Sequence, residues 1–197
     1  MDPLADRVTV AILAGGEGRR VEGQDKGLLL LDAKPLIAHV CAALRGQVDA
    51  ILICANRNRD EYARYGDVVA DAMSGFKGPL AGIATALAHG TAEWLLTAPV
   101  DGPDLPRDLV SRLRDAAVVA NANAAVAHDG ARRQPLFALY RSELASSAAQ
   151  ALARGLGPRE WQDAIGTVEV DFSEQPQAFA NLNTLQDLRD WERRHGY

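Results

Sequence analysis

Short runs of apolar residues alternate along this chain with longer segments in which apolar residues recur every three or four positions. The short runs predict β-strands over residues 8–13, 51–54, 68–70, 93–98, 124–127, 136–140 and 167–171. The longer segments predict helices over 35–45, 80–89, 106–117, 142–154 and 185–194, with Pro35 and Pro106 near two of the first turns. Residues 121–127 are rich in alanine and are equally consistent with a helix. The alternation favours an α/β fold, a three-layer Rossmann-like sandwich with a mostly parallel sheet between helices on both faces.

The composition is that of a chain that can bury one sizeable core. Of its 197 residues, 48% are hydrophobic and 24% are charged, and no repeat, low-complexity tract or linker divides them. We therefore expect a single domain over residues 1–197. The formal net charge of -5 argues against a general electrostatic grip on nucleic acid, because such binding needs a basic face.

The cysteine and hydropathy patterns bear on the location of the protein. Cys41 and Cys54 lie in apolar patterns without CxxC spacing or a nearby histidine, so we expect small core residues in a reducing compartment. The first six residues are acidic rather than basic, and no apolar run approaches the roughly 20 residues that span a bilayer. We expect a cytoplasmic protein without a membrane partner.

The segment after the first predicted strand is rich in glycine and in basic residues. It reads Leu-Ala-Gly-Gly-Glu-Gly-Arg-Arg over 13–20 and Asp-Lys-Gly over 25–27. The glycines let backbone N–H groups approach a ligand closely because no Cβ stands in the way, and Arg19 and Lys26 add fixed positive charge. This combination suits a phosphate chain. The alternative is that Lys26 is only a solvated loop charge.

Two well-known glycine fingerprints do not match this segment. A P-loop places Lys-Ser or Lys-Thr directly after its final glycine, whereas Gly23 is followed by Gln24 and Asp25. A dinucleotide fingerprint needs Gly or Ala at its sixth position, where this chain has Val21. Neither a P-loop ATPase nor a dehydrogenase is therefore favoured.

Several polar residues and glycines follow predicted strands directly. Gly15 and Gly16 follow the first strand, Asn56 the second, Asp71 the third, and Asp101 the strand over 93–98. In an open parallel sheet, ligands bind at the carboxyl ends of the strands, at the point where the crossover direction reverses. We therefore expect these loops to converge on one edge of the sheet.

Each of the two aspartates allows two interpretations. Asp101 lies between Pro99 and Pro103, so it is either an ordinary turn residue or a carboxylate held ready for a hard cation such as Mg²⁺. Asp71 either caps the turn after its strand or accepts hydrogen bonds from a base or ribose. Residues 128–130, His-Asp-Gly, are first of all a predicted β-turn.

Residues 13–20 and 25–27 resemble the N-terminal signature of the nucleotidyltransferases that activate sugars and cofactors. Within that superfamily the chain is most similar to the molybdenum cofactor guanylyltransferase family, because further motifs follow in that family's order, from about residue 8 to the C-terminus. These motifs are Lys34-Pro35-Leu36, Ala55-Asn56-Arg57, Gly78-Pro79-Leu80-Ala81-Gly82, Pro99-Val100-Asp101, His128-Asp129-Gly130, Gln134-Pro135 and Asn181-Leu182-Asn183-Thr184. The resemblance implies a fold like that of the nucleotide-diphospho-sugar transferases.

The resemblance also implies a reaction and its participants. GMP would pass from GTP to the phosphate of molybdopterin by direct displacement of pyrophosphate, with Mg²⁺ as the metal and no covalent intermediate. Asp101 would bind Mg²⁺, Arg19 and Lys26 would act with it in catalysis, and the Asp71 loop would recognise guanine. The implied nucleotide-binding residues are Leu13, Ala14, Gly15, Gly16, Lys26, Asp71, Gly78, Pro79, Leu80 and Asp101. The implied residues on the pterin side are Arg132, Gln134, Asn181 and Asn183. Cofactor-delivery proteins and molybdoenzyme chaperones are the implied partners.

The chain departs from the family pattern at one position, and three other functions are alternatives to guanylyl transfer. The family commonly has Asn where this chain has Cys54, so if that Asn touches the nucleotide in relatives, the contact is absent here. The nearest rival is a cytidylyltransferase acting on the same pterin, whose signature usually has Ala in place of Gly15. A sugar-phosphate nucleotidyltransferase is disfavoured by the length of 197 residues. The third rival is a docking protein that binds GTP without turnover.

Overall fold

A seven-stranded sheet forms the centre of the fold in the computed structural model, which describes residues 6–15, 24–70 and 78–195. In chain order the strands of this sheet and of a small hairpin are β1 (Val8–Leu13), β2 (Leu30–Leu31), β3 (Lys34–Pro35), β4 (Ala50–Cys54), β5 (Asp67–Val69), β6 (Trp94–Pro99), β7 (Ala124–His128), β8 (Arg133–Arg141) and β9 (Val168–Asp171). The large sheet has the order β5-β4-β1-β6-β8-β7-β9, and β2 pairs only with β3. Neighbouring strands are parallel except that β8 runs antiparallel to β6 and β7. The prediction of a mostly parallel sheet is confirmed.

The helices lie largely where the apolar periodicity predicts them. In chain order they are α1 (Leu36–Leu44), α2 (Arg59–Tyr62), α3 (Pro79–His89), α4 (Leu109–Val119), α5 (Ala145–Ala153), α6 (Pro158–Ala164) and α7 (Leu185–His195). The helix predicted from residue 106 begins at Leu109, and the first three residues of the one predicted from 142 form a 3-10 turn. The alanine-rich segment is the strand β7, whose alanines are fully buried between two layers. Helices α2 and α6 were not predicted, because four and seven residues are too few to show a period.

The alternation of side chains along β1 divides the core into the two layers expected of the sandwich. Val10 and Ile12 point to the face covered by α1 and α4, where they join one cluster of buried apolar side chains. Ala11 lies between them and belongs to a second cluster on the face covered by α3 and α5. Because successive strand residues face opposite sides, a strand that is apolar at every position is buried on both faces. The three-layer prediction is thereby confirmed.

A third, smaller cluster attaches the last helix to the small hairpin. Its buried members are Leu29, Leu31, Leu36, Leu182, Leu188 and Trp191. The Trp191 indole also donates a hydrogen bond of 2.5 Å to Asp104 Oδ2, in the loop after β6. These contacts hold the segment before α7 against the carboxyl edge of the sheet.

Both cysteines are core residues, as predicted. Cys41 and Cys54 are buried and form no disulfide, and burial raises the pKa of the Cys41 thiol to about 11, so it stays protonated at neutral pH. Among the helices in the described residues, none has the length and apolar character to cross a membrane.

Candidate active site

Three strand ends bring their following residues to one edge of the sheet. β1, β4 and β6 are parallel neighbours, so Gly15, Asn56 and Asp101 leave the sheet on the same side. The loops are tied together at their bases, because the Ala14 amide donates to the Cys54 carbonyl at 2.9 Å and the Val100 amide to the Leu13 carbonyl at 3.2 Å. Gly16, Arg19 and Asp71 are predicted site residues that lie outside the described residues.

A lysine-centred contact joins three distant parts of the chain at this edge. The Lys26 ammonium donates to Asp101 Oδ2 at 2.8 Å and to Asn183 Oδ1 at 2.6 Å. The Lys26 side chain is 21% exposed and that of Asp101 is 13% exposed. Lys26 is therefore an ordered, largely enclosed charge rather than a solvated one. An ammonium between two oxygen acceptors in a partly dry setting is well placed to bind a phosphate oxygen.

The position of Asp101 follows from the strand before it and from the glycine after it. Every residue of β6 is buried, so the chain turns only beyond Pro99, and the Gly102 amide closes that turn on the Pro99 carbonyl at 3.4 Å. The Asp101 carbonyl accepts the Leu182 amide at 2.8 Å, while its side chain points to Lys26. Asp101 is thus a turn residue and also presents a carboxylate at the site, so the two interpretations from sequence are compatible.

Gly102 leaves no room for a side chain. A Cβ at this position would lie 2.8 Å from Cζ of Phe137, a core side chain on β8. We expect Gly102→Ala to lower the free energy of unfolding by about 1–3 kcal/mol, as overpacking does in a close-packed interior. Urea unfolding measures this loss. Its control is the same substitution in a Phe137→Leu background, which lacks the clashing atom; an equal loss there would contradict the steric explanation.

The end of the chain orients Asn183. The Asp187 carboxylate accepts the amides of Asn183 and Thr184, both at 2.8 Å, at the start of α7. The Asn183 side-chain nitrogen donates to the Asn181 carbonyl at 3.3 Å, which leaves Oδ1 to accept from Lys26. The family resemblance implies that Asn183 lies on the pterin side and Lys26 on the nucleotide side. The structure brings the two together at one nitrogen atom.

Asp25 is a part of the site for which the sequence predicted no role. Its carboxylate accepts hydrogen bonds from the Gly27 amide, the Tyr62 hydroxyl and the Asn58 side chain. Burial, together with the hydrogen bond to Asp25, raises the pKa of the Tyr62 phenol well above its usual range, so the phenol donates at all physiological pH values. Asp25 could have been found as a site residue because it is the first residue of the Asp-Lys-Gly motif. No sequence pattern indicated Tyr62.

Of the segment that is predicted to recognise guanine, from Asp71 to Leu80, the structure describes the part that begins at Gly78. Gly78 precedes α3 with φ of 80°, a conformation that favours glycine, and Pro79 occupies the first turn. The Leu80 side chain is 1% exposed and packs in the core, so the side chain is not available to a ligand. The Cys54 thiol is buried and donates to the Gly82 carbonyl of α3 at 3.5 Å.

The turn after β7 contains the other predicted pterin-side residues. Asp129 accepts the amides of Ala131 and Arg132 and the Gln134 side chain, as a β-turn with an Asx side chain does. Partial burial opposes ionisation of Asp129, but these hydrogen bonds outweigh it and lower the pKa of the carboxyl. The Arg132 side chain is 75% exposed. Among the described residues, neither Arg132 nor Gln134 forms a hydrogen bond with Lys26 or Asn183.

Comparisons with known proteins identify relatives of this chain. Residues 10–168 match the family model of the MobA-like NTP transferase domain. The chain is 43% identical to a Shewanella piezotolerans protein named molybdenum cofactor guanylyltransferase, over 90% of this chain and 88% of the relative. A Pasteurella multocida protein of the same name is also 43% identical, over 92% and 97% of the two chains.

The fold is also similar to solved structures. The crystal structure of molybdopterin-guanine dinucleotide biosynthesis protein A from Archaeoglobus fulgidus superposes with a TM-score of 0.79 at 24% identity, covering 95% of this chain and 98% of that one. A 2-C-methyl-D-erythritol 4-phosphate cytidylyltransferase from Thermus thermophilus superposes with a TM-score of 0.70 at 18% identity, over 95% and 98% of the two chains. At these identities the likeness is one of fold.

Proposed function

Because this chain belongs to the MobA-like NTP transferase family and, within it, to the molybdenum cofactor guanylyltransferases, we propose that it transfers GMP from GTP to the phosphate of molybdopterin. The products are molybdopterin guanine dinucleotide and pyrophosphate. The observation that carries the proposal is the Lys26 ammonium between Asp101 and Asn183. It joins the nucleotide side and the pterin side of the expected site, which is where the two reacting phosphates must meet.

The transfer is a direct displacement at the α-phosphorus of GTP by a phosphate oxygen of molybdopterin. Such a reaction depends on positioning and on charge neutralisation more than on a protein nucleophile. Lys26 offsets the negative charge that builds up on the α-phosphoryl group and the leaving pyrophosphate. Gly15 follows β1 at this edge of the sheet, and its amide is proposed to bind the phosphate chain, because a glycine lets a ligand approach the backbone closely. Arg19 and Asp71, outside the described residues, keep their sequence-based roles in charge neutralisation and guanine recognition.

Mg²⁺ is the proposed metal, and Asp101 is the residue that would hold it. The described residues contain no group of three or more histidine, cysteine, aspartate or glutamate side chains that could by itself hold a metal ion. Oδ1 of Asp101 receives no hydrogen bond within the described ranges, so this oxygen is available to a hard cation. One carboxylate fits Mg²⁺, which usually binds through one or two carboxylates together with substrate phosphates and water. When bound, Mg²⁺ supplies positive charge to the phosphate oxygens.

The proposed setting of the reaction is the cytoplasm, in agreement with two buried cysteines that form no disulfide. Handover of the product to cofactor-delivery proteins or molybdoenzyme chaperones is part of the proposal and rests on the family resemblance. The nucleotide-binding roles of Leu13, Ala14, Gly78 and Pro79, and the pterin-side roles of Arg132, Gln134 and Asn181, are proposed on the same ground.

Initial rates of pyrophosphate release test this function. The purified protein is incubated with Mg²⁺, molybdopterin in its metal-free or metal-loaded form, and GTP, CTP or ATP in separate reactions. We expect release with GTP that requires both the pterin and Mg²⁺. Release with CTP alone would reassign the protein as a cytidylyltransferase. GTP binding without pyrophosphate release would indicate a docking protein instead.

A further inference from the structure

The Asp25 carboxylate connects the turn that carries Lys26 to the hydrophobic core. Oδ1 accepts the Gly27 amide at 3.2 Å and the Tyr62 hydroxyl at 2.5 Å. Oδ2 accepts the Asn58 side-chain amide at 2.9 Å. Both oxygens are therefore engaged, and one donor comes from the turn itself while two come from the segment after β4.

Asp25 stabilises the backbone turn that contains Lys26. It is the N-cap of the 3-10 turn Lys26–Leu28, so the residue that it caps first is the lysine of the site. The Asp25 carbonyl accepts the Leu28 amide at 3.1 Å, which closes the same turn. A carboxylate that caps a short turn defines the direction in which the first side chain leaves the backbone.

Tyr62 supplies the fixed point of this arrangement. Its side chain is fully buried at the end of α2 and belongs to the same apolar cluster as Ile12 and Val100. The hydroxyl also sits directly against the turn, because a Cβ on Gly27 would lie 2.3 Å from it. A ring packed in a dense core cannot follow a moving loop, so its hydroxyl holds Asp25 in one place.

Lys26 is thus held both at its ammonium group, by Asp101 and Asn183, and at its backbone turn, by Asp25. A substrate phosphate that binds the ammonium competes with Asp101 and Asn183, which hold Nζ at 2.8 and 2.6 Å. The hydrogen bonds that Asp25 accepts from Gly27 and Tyr62 do not involve the Lys26 ammonium, so a phosphate bound there does not compete with them. During the reaction the second set remains to orient the lysine.

We infer that Tyr62 is a positioning residue for GMP transfer, acting through Asp25 to hold the Lys26 turn in its productive geometry. The inference rests on the proposed function and extends it to a side chain that does not touch substrate. A charged group stabilises a transition state much less when it is displaced from its proper position. Binding of GTP in the ground state depends less on any one group, because several loops share it. Loss of the Tyr62 hydroxyl therefore lowers kcat more than it raises KM.

The test compares two Tyr→Phe variants that each remove one buried hydroxyl. Tyr62→Phe breaks the bond to Asp25. Tyr140→Phe is the matched control, because Tyr140 is also fully buried and its hydroxyl accepts from Gln162 at 2.6 Å, in the other core cluster. We expect both variants to lose a few degrees in Tm. Only Tyr62→Phe lowers kcat for GMP transfer, by about tenfold, with KM for GTP changed less than about twofold.

A double-mutant cycle separates positioning from a general loss of stability. In a Lys26→Ala background, Tyr62→Phe is expected to have no further effect on kcat, because the residue that it positions is gone. Full additivity in this cycle, or a Tyr62→Phe variant with the kcat of wild type, would overturn the inference. An equal loss of kcat in Tyr140→Phe would do so as well.

Hydrogen exchange gives a readout that does not depend on catalysis. The Gly27 and Leu28 amides, both bonded to Asp25, exchange faster in Tyr62→Phe than in wild type and at the wild-type rate in Tyr140→Phe. If wild type transfers no GMP while these amides still respond, the proposed function fails and the anchoring of the turn stands. If wild type is active and the amides do not respond, the positioning role of Tyr62 is wrong.

Discussion

Lys26→Ala is expected to lower kcat for GMP transfer by a factor of about 10²–10³, the usual effect of removing one preorganised stabiliser of transition-state charge. The ammonium lies between Asp101 and Asn183, at the point where the two substrates are expected to meet. Alanine leaves these two acceptors in place, and water can enter the space that the lysine side chain vacates and donate hydrogen bonds to both. We therefore expect a Tm close to that of wild type.

Steady-state kinetics with saturating molybdopterin and Mg²⁺ measure this effect. Lys34→Ala is the matched control, because Lys34 is a lysine of the same region that is exposed on β3. We expect Lys34→Ala to retain wild-type turnover. If Lys26→Ala turned over at the rate of wild type, the role assigned to Lys26 would be wrong.

Asp101→Asn is expected to abolish most Mg²⁺-dependent activity, by a factor of about 10² or more, with little change in Tm. Asparagine keeps the shape of the side chain and one oxygen that can accept from Lys26, and the backbone bond from Leu182 is unchanged. What is lost is the negative charge that a hard cation requires. The expected loss is therefore one of metal-dependent chemistry rather than of folding.

Titration of activity with Mg²⁺, together with a thermal melt of each protein, tests this expectation. Asp104→Asn is the control in the same loop, because the Asp104 carboxylate accepts the Trp191 indole and so supports α7. We expect Asp104→Asn to lower Tm while retaining the dependence on Mg²⁺. A collapse of Tm in Asp101→Asn would mean that Asp101 serves only the turn.

The strands and their convergence could be predicted because they depend on local patterns and a simple topological rule. Apolar runs define buried strands, and parallel neighbours send their carboxyl ends to one edge. Gly15 and Asp101 were placed at that edge on this ground, and the structure agrees. The direction of β8 could not be predicted, because side-chain alternation is the same for parallel and antiparallel strands.

The side-chain contacts within the site could not be predicted from the sequence. Lys26 and Asn183 are 157 positions apart, and no pattern states that their side chains meet. Tyr62 was missed because it ends a helix of four residues, which shows no period, and a buried tyrosine is more often a packing residue. The Gln134 side chain donates a hydrogen bond to the Asp129 carboxylate in the turn after β7. Short polar motifs allow such a local hydrogen bond but do not require it, so the sequence did not predict it.

Transfer of ³²P from the α-position of GTP to the pterin product tests the central claim most directly. The account predicts a labelled dinucleotide, with one pyrophosphate released for each GMP transferred, in reactions that contain Mg²⁺ and molybdopterin. Label that stays in GTP, or that is released as free GMP without a pterin product, would contradict the account.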